Sequence, residues 1–305
     1  MYTFIVNPNA RSGRGAKVWS SLEEVLKERM VEYQVLFTKY QNHATKLVEK
    51  LTSTGEECTI IALGGDGTIN EVVNGIADIS KVTLGYIPIG SSNDFARSMK
   101  LSTDALEALE HILNPTAHKY INIGVLEHGD KRRRFAVSSG FGFDAGVCHQ
   151  LLVSKFKEAL NKIHLGKLCY VAVALQHLAA QKTKSMTLIL DDEEVVHFDN
   201  VYFAAAMNQK YEGGGFKFCP KADPSDDKLD IMVASGISKP KVLCLLPTAY
   251  KGLHVHAKGI STYQCKKAIF ESEVALPLHT DGEPVLGEKS VQLSLEPEKL
   301  RFILT

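Results

Sequence analysis

The sequence predicts an α/β fold in two parts: an open parallel sheet with helices on both faces, then a second, β-rich domain. Three observations carry this. Apolar runs alternate with helical periodicities from Tyr2 to Ile87, the pattern of strands and crossover helices in a parallel sheet. A glycine-rich turn follows one of the apolar runs, and such sheets bind ligands beyond the carboxyl ends of their strands. After about residue 125 the helical spacing gives way to short β-branched runs separated by turn signals.

Taken in order, Tyr2 to Val6 is a short apolar strand. Val18, Leu22, Val25, Leu26 and Met30 recur at helical spacing and predict a helix over Ala16 to Met30. Tyr33 to Phe37 reads as a strand and Ala44 to Leu51 as a helix. Cys58 to Leu63 is continuously apolar and ends in glycines, as expected of a parallel strand buried on both faces. Ile69 to Ile76 then reads as helix and Val82 to Ile87 as strand. Further on, Thr187 to Leu190, Val201 to Met207, Leu229 to Val233 and Val291 to Leu295 read as strands, with Ala145 to Gln181 mostly helical. The expected domains are 1–125 and 126–289, with the terminal strands, about 290–305, returning to the first sheet.

Composition narrows the function. The chain has 305 residues, long enough for two cores, and its 35 Lys plus Arg balance 35 Asp plus Glu. That neutrality argues against a nucleic-acid partner and leaves membrane attraction to local basic patches. The opening MYTFIVNPNA lacks the marks of a signal peptide, and no apolar run approaches the ~18 residues of a membrane span. Cys58, Cys148, Cys169, Cys219, Cys244 and Cys265 are scattered without a CxxC pair, the usage of reduced thiols in a cytoplasmic protein.

The chemistry is concentrated in three segments. Gly64-Gly65-Asp66-Gly67-Thr68-Ile69-Asn70-Glu71 follows the strand Cys58 to Leu63. Its glycines let a phosphate approach the backbone, and the helix that follows offers free N–H groups and a favourable dipole. Asp66 stands where a carboxylate helps hold Mg²⁺ among phosphates. The pattern is neither a Walker loop nor a GxGxxG dinucleotide turn. Pro88 to Arg97 repeats the design after the next strand, with Asn93 and Asp94 in capping positions. Asp281-Gly282-Glu283 offers two carboxylates on a glycine turn, which taken alone is first of all a β-turn.

These segments, with Asn7-Pro8, Ser12-Gly13-Arg14 and Gly213-Gly214-Gly215, resemble the diacylglycerol kinase catalytic-domain family, and specifically its soluble bacterial lipid kinases. The resemblance runs in order from about residue 2 to the end. It implies a nucleotide-binding domain like those of NAD kinase and phosphofructokinase, a sandwich-like second domain, and an active site between them. ATP would lie on Gly64, Gly65, Asp66, Gly67, Thr68, Ile69 and Asn70, with Thr38 and Ser91 also touching the nucleotide. Ser91 replaces the family's usual threonine and keeps its hydroxyl. Asp94, Arg97 and Arg14 would surround the transferred phosphoryl group, with Asp281 as general base and Glu283 assisting. A structural Mg²⁺ would be held by the Asp226 side chain and the carbonyls of Asp223 and Lys228, although Asp227 stands where the family has glycine. The acceptor would be the primary hydroxyl of diacylglycerol or a related lipid, met at a membrane surface by a peripheral protein. A homodimer is compatible with this reading. A soluble-substrate kinase and an idle nucleotide- or lipid-binding regulator are the alternatives.

Three further features are weaker. Leu152, Phe156, Leu160 and Ile163 recur at helical spacing among lysines between Leu151 and Lys167. This reads first as a helix packed on its own domain and second as an interfacial helix. Arg132-Arg133-Arg134 reads as an exposed hairpin before it reads as an anionic-lipid contact. His254 and His256 are expected on one face of a strand, in a structural role.

Overall fold

The computed structural model describes residues 1–142 and 182–304. The expected helices between Ala145 and Gln181, the amphipathic stretch from Leu151 and the thiols of Cys148 and Cys169 lie outside the described residues.

Two sheets divide the chain. The first contains β1 (Tyr2–Val6), β2 (Tyr33–Phe37), β3 (Cys58–Gly64), β4 (Val82–Pro88), β5 (Ala117–Ile121) and, from the far end of the chain, β15 (Leu300–Leu304). Their order is β2-β1-β3-β4-β15-β5, with every pair parallel except the edge pair β15–β5. The helices are α1 (Ala10–Glu28), α2 (His43–Thr52), α3 (Asp66–Gly75), α4 (Asp94–Met99) and α5 (Ala105–Leu113). Strand β3 shows why its sequence is continuously apolar. Ile60 and Ala62 pack with Val72, Val73 and Phe95 on one face, while Ile61 and Leu63 pack with Phe4, Trp19 and Leu22 on the other.

The second sheet holds β6 (Gly124–His128), β7 (Lys131–Phe135), β8 (Ser138–Gly142), β9 (Lys184–Leu190), β10 (Glu194–Met207), β11 (Leu229–Ser235), β12 (Ile260–Cys265), β13 (Ala268–Thr280) and β14 (Glu283–Leu295). Strands β10 and β13 each pair with β9 along one half and with β8 along the other, so β8 and β9 fill the same gap end to end. Leu188, Ala204, Ile231, Phe270 and Leu293 close its core. The chain crosses between sheets at Asn122–Ile123 and returns after Leu295, and the Glu296 N–H donates to the Ile123 carbonyl at 2.8 Å. Val291–Leu295 thus ends a strand of the second sheet, and only β15 returns to the first.

Other departures from expectation have local causes. Arg11, Ser12 and Gly13 take φ of 48°, 60° and 88°, so a kinked turn precedes the regular part of α1. His254 and His256 lie on a 3₁₀ turn, Leu253–His256, and not on a strand, because Gly252 at φ 71° turns the chain just before them. His254 is buried with Nε2 3.1 Å from the Phe218 carbonyl, and burial lowers its pKa. A helix over Lys239–Ala249 has no counterpart in the sequence reading; of its residues only Val242 and Ala249 are buried.

Arg132, Arg133 and Arg134 do form a hairpin strand, but their charges turn to the first domain. Arg134 is clamped by Glu296 and by the Ile76 carbonyl at the end of α3, and Arg132 Nη2 lies 2.6 Å from Glu296. Arg133 Nη2 donates to Asn70 Oδ1 at 3.2 Å. These guanidinium groups join the domains.

Candidate active site

The two glycine segments meet backbone to backbone. The Ile89 N–H donates to the Gly64 carbonyl at 2.8 Å, and a Cβ on Gly90 would lie 2.6 Å from the Gly65 Cα, so neither loop tolerates a side chain there. Asn7 Nδ2 donates to Thr68 Oγ1 at 3.2 Å, pinning the loop after β1 to the first turn of α3. A Cβ on Gly15 would come within 2.0 Å of the Asn7 carbonyl, which holds the start of α1, and the exposed Arg14, against that loop. Thr38 is buried beside it, its N–H donating to the Val6 carbonyl at 2.9 Å.

Asp66 ties the first segment to the second. Its carboxylate accepts the N–H groups of Asp94 and Phe95, both at 3.2 Å, and so caps α4 from another element. Ser91 is exposed in the loop before that helix. Asp94 is 5% exposed. Its Oδ2 accepts the Gly214 N–H of the second domain at 2.7 Å; its Oδ1 has no hydrogen-bond partner among the described residues, with Arg97 Nε 3.8 Å away. Arg97 also lies 5.8 Å over the Tyr211 ring.

Asp281 comes from the β13–β14 turn of the second sheet. Its Oδ2 accepts Asn70 Nδ2 at 2.7 Å and the Ala136 N–H at 2.8 Å; its Oδ1 accepts the N–H groups of Val137 and Ser138 at 2.8 and 2.9 Å. Glu283 bridges the domains too, accepting Gln41 Nε2 at 3.0 Å, and its Oε1 would lie 3.3 Å from a Cβ on Gly67. Sequence reasoning missed the brace behind this turn. Buried His279 has Nε2 3.0 Å from Glu212 Oε1 while its Nδ1 accepts the Gly282 N–H at 3.2 Å, which makes Nε2 the protonated nitrogen. No local spacing connects Glu212 with His279.

The electrostatics are those of unneutralised carboxylates. Burial pushes Asp66 up, against the N–H groups of Phe95 and Asp94 and with the help of the Asp281 charge. Burial, then the neighbouring Asp66 charge, pushes Asp94 up to about 7. Burial also raises Asp281, against its donors from Ala136, Ser138, Asn70 and Val137. The orphaned Asp94 oxygen and the glycine loops that exclude Cβ atoms fit a phosphate ligand accompanied by a cation.

The acidic turn presents a different donor set. Asp223 Oδ1 accepts from Lys119 Nζ at 3.1 Å and from Ser225 Oγ at 2.6 Å, and Asp226 Oδ1 accepts the Lys228 N–H at 3.1 Å. Among the described residues, no three His, Cys, Asp or Glu side chains gather closely enough to hold a metal ion.

Residues 1–124 match the family described as the diacylglycerol kinase catalytic domain, and residues 141–304 match the YegS C-terminal NAD kinase beta sandwich-like domain. YtlR of Bacillus subtilis, a protein named for lipid kinase activity, is 30% identical over 98% of this chain and 98% of its own. The chain belongs to the diacylglycerol kinase catalytic-domain family. A Mycobacterium tuberculosis protein named diacylglycerol kinase is 28% identical over 92% of this chain and 88% of its own. A solved structure from Bacillus anthracis, described as a diacylglycerol kinase, superposes with TM-score 0.78 over 100% of this chain and 97% of that one, at 24% identity, and shows the shared fold. The family is one of kinases, and the second domain is the sandwich-like module expected.

Proposed function

We propose that this kinase transfers the γ-phosphoryl group of ATP to the primary hydroxyl of diacylglycerol or a closely related lipid. The observation that carries the reading is the convergence of Asp66, Asp94 and Asp281 from two domains beside the glycine loops, tied by Asn70 and Gly214. The names of the YtlR and M. tuberculosis relatives support a lipid acceptor.

In this reading the ATP phosphates lie on the Gly64–Asn70 loop at the start of α3, whose N–H groups and dipole favour their oxygens. Asp66 is the carboxylate that would hold Mg²⁺, which when bound supplies positive charge to the phosphates. Arg97 and Arg14 would add to that charge. Asp281 takes the proton of the lipid hydroxyl as its oxygen bonds to the γ-phosphorus and the bond to ADP breaks. The proton enters at Oδ2, which has one backbone donor, Ala136, and the Asn70 side-chain amide, which can rotate away, whereas Oδ1 has two backbone donors, Val137 and Ser138. Glu283 and the Glu212–His279 brace hold the Asp281 turn in place.

No described helix is long and apolar enough to cross a membrane, so the proposal has the enzyme meet its lipid as a peripheral protein. The test is transfer of labelled phosphate from ATP to a panel of lipids in mixed micelles, with NAD and sugar phosphates alongside. Label in diacylglycerol-type lipids is expected; label only in NAD or a sugar phosphate would replace the lipid reading with a soluble-substrate kinase.

A further inference from the structure

On the helix Lys239–Ala249, Val242 and Ala249 lie two turns apart and form its buried stripe. A second stripe, turned about 100° from the first, carries Leu243, Pro247 and Tyr250 at helical spacing. All three are exposed, Leu243 at 41% and Tyr250 at 54%, and Leu253, just past the Gly252 turn, is exposed at 56%. A single apolar side chain at a surface needs no explanation; a row of them along one helix does.

The row lies in a basic stretch of a chain whose charges otherwise balance. From Ile231 to Phe270 there is no Asp or Glu, and there are six lysines. Lys251 and Lys258 are exposed. Lys241 Nζ donates to the Lys258 carbonyl at 2.7 Å and ties the helix to the turn that follows it. The row is also built onto the candidate active site. Tyr250 is the outermost of three rings, its centroid 4.2 Å from that of Phe216, which lies 5.7 Å from buried Phe218. Phe216 is two residues beyond Gly214, whose N–H binds Asp94, and the next N–H, of Lys217, donates to the Ala249 carbonyl at 2.9 Å.

Exposed leucine and tyrosine bordered by lysine is the chemistry of a membrane interface. The apolar groups enter the acyl boundary, the tyrosine ring sits at headgroup level, and the lysines meet anionic headgroups. A second copy fits less well, because a two-fold contact sets the same lysines against one another. We infer that the face carrying Leu243, Pro247, Tyr250 and Leu253 docks this protein on an anionic lipid bilayer. The inference rests on the lipid-acceptor reading and adds to it the surface through which that acceptor's bilayer is met.

Cosedimentation with vesicles of phosphatidylglycerol and phosphatidylcholine, without nucleotide or diacylglycerol, is read apart from the transfer assay, so the two can fail separately. Wild type is expected on the phosphatidylglycerol vesicles, with less on phosphatidylcholine alone and less at high salt. Leu243→Ser with Tyr250→Ser, and separately Lys251→Gln with Lys258→Gln, should each weaken binding about 10-fold or more. Val195→Ser, at an exposed position of β10 outside its pairing with β11, should leave it unchanged. Wild type that ignores phosphatidylglycerol vesicles, or either double variant binding as well as wild type, overturns the inference. A wild-type dimer that the Leu243→Ser, Tyr250→Ser protein loses, read by light scattering, gives the face to a second copy and also overturns it.

Discussion

Two sets of aspartates in this molecule live under opposite electrostatic conditions. In the cleft, Asp66, Asp94 and Asp281 are fed by backbone N–H groups and one amide, and burial raises all three. In the acidic turn, hydrogen bonds from Ser225 and Lys119 lower Asp223, and Lys299 and Asn122 lower Asp227. Asp230, within β11, departs from its neighbours because burial pushes it up to about 6. The same residue type therefore serves two purposes. The cleft keeps negative charge short of a partner, the condition of a site that waits for a cation-bearing ligand. In the turn, Asp223 and Asp227 are each paired with a lysine of the same chain. Carboxylate clusters alone do not distinguish the two; the lysines do.

The largest expected effect separates chemistry from binding. Asp281→Asn should lower turnover about 10²- to 10⁴-fold, the range for a lost general base, while nucleotide affinity measured by calorimetry stays near that of wild type. A similar loss in affinity would make Asp281 a nucleotide contact instead. Next comes the pH dependence of stability. Asp94 has a folded pKa of about 7 against an ordinary value of 3.8. The folded state therefore binds the extra proton between these values, and stability falls as pH rises through the window, by up to about 1.4 kcal/mol per pH unit. Asp94→Asn should flatten that slope in denaturant titrations between the two values and raise apo Tm at neutral pH. An unchanged slope would remove Asp94 as the strained group.

The acidic turn should respond with the opposite sign. Asp223 and Asp227 are held below the ordinary carboxylate value of 3.8, so their contribution is present above that value and is lost as pH falls through the folded pKa. Lys299→Met should shrink this acid-side loss, read from Tm in the acid range. Smallest is Asp227→Gly: glycine suits the φ of 64° while the Lys299 and Asn122 bonds disappear, and Tm should move by about 2 °C or less. A larger fall would make Asp227 the main support of the turn.

How much of this was legible in the sequence follows from distance along the chain. Strand β3 and the loop after it are local, so the apolar run and the glycines announced both the parallel strand and the phosphate site. Asn93-Asp94 read as a helix start for the same reason, although the cap comes from Asp66. Pairings across long separations left no mark: Arg133 on Asn70, Glu212 on His279, and Lys299 on the acidic turn. The arginine run looked like a surface patch because nothing local shows that Glu296 and the end of α3 wait for it. His254 and His256 alternated as a strand would, and only Gly252 ahead of them hinted at a tighter turn.

The most direct measurement is the initial rate of labelled γ-phosphate transfer from ATP to 1,2-diacylglycerol and to 1,3-diacylglycerol in the same mixed micelles. The first has a free primary hydroxyl and the second only a secondary one. The account predicts label in the 1,2-isomer, little in the 1,3-isomer, and loss of the signal in Asp281→Asn. Equal labelling of both isomers, or label confined to soluble acceptors, would contradict it.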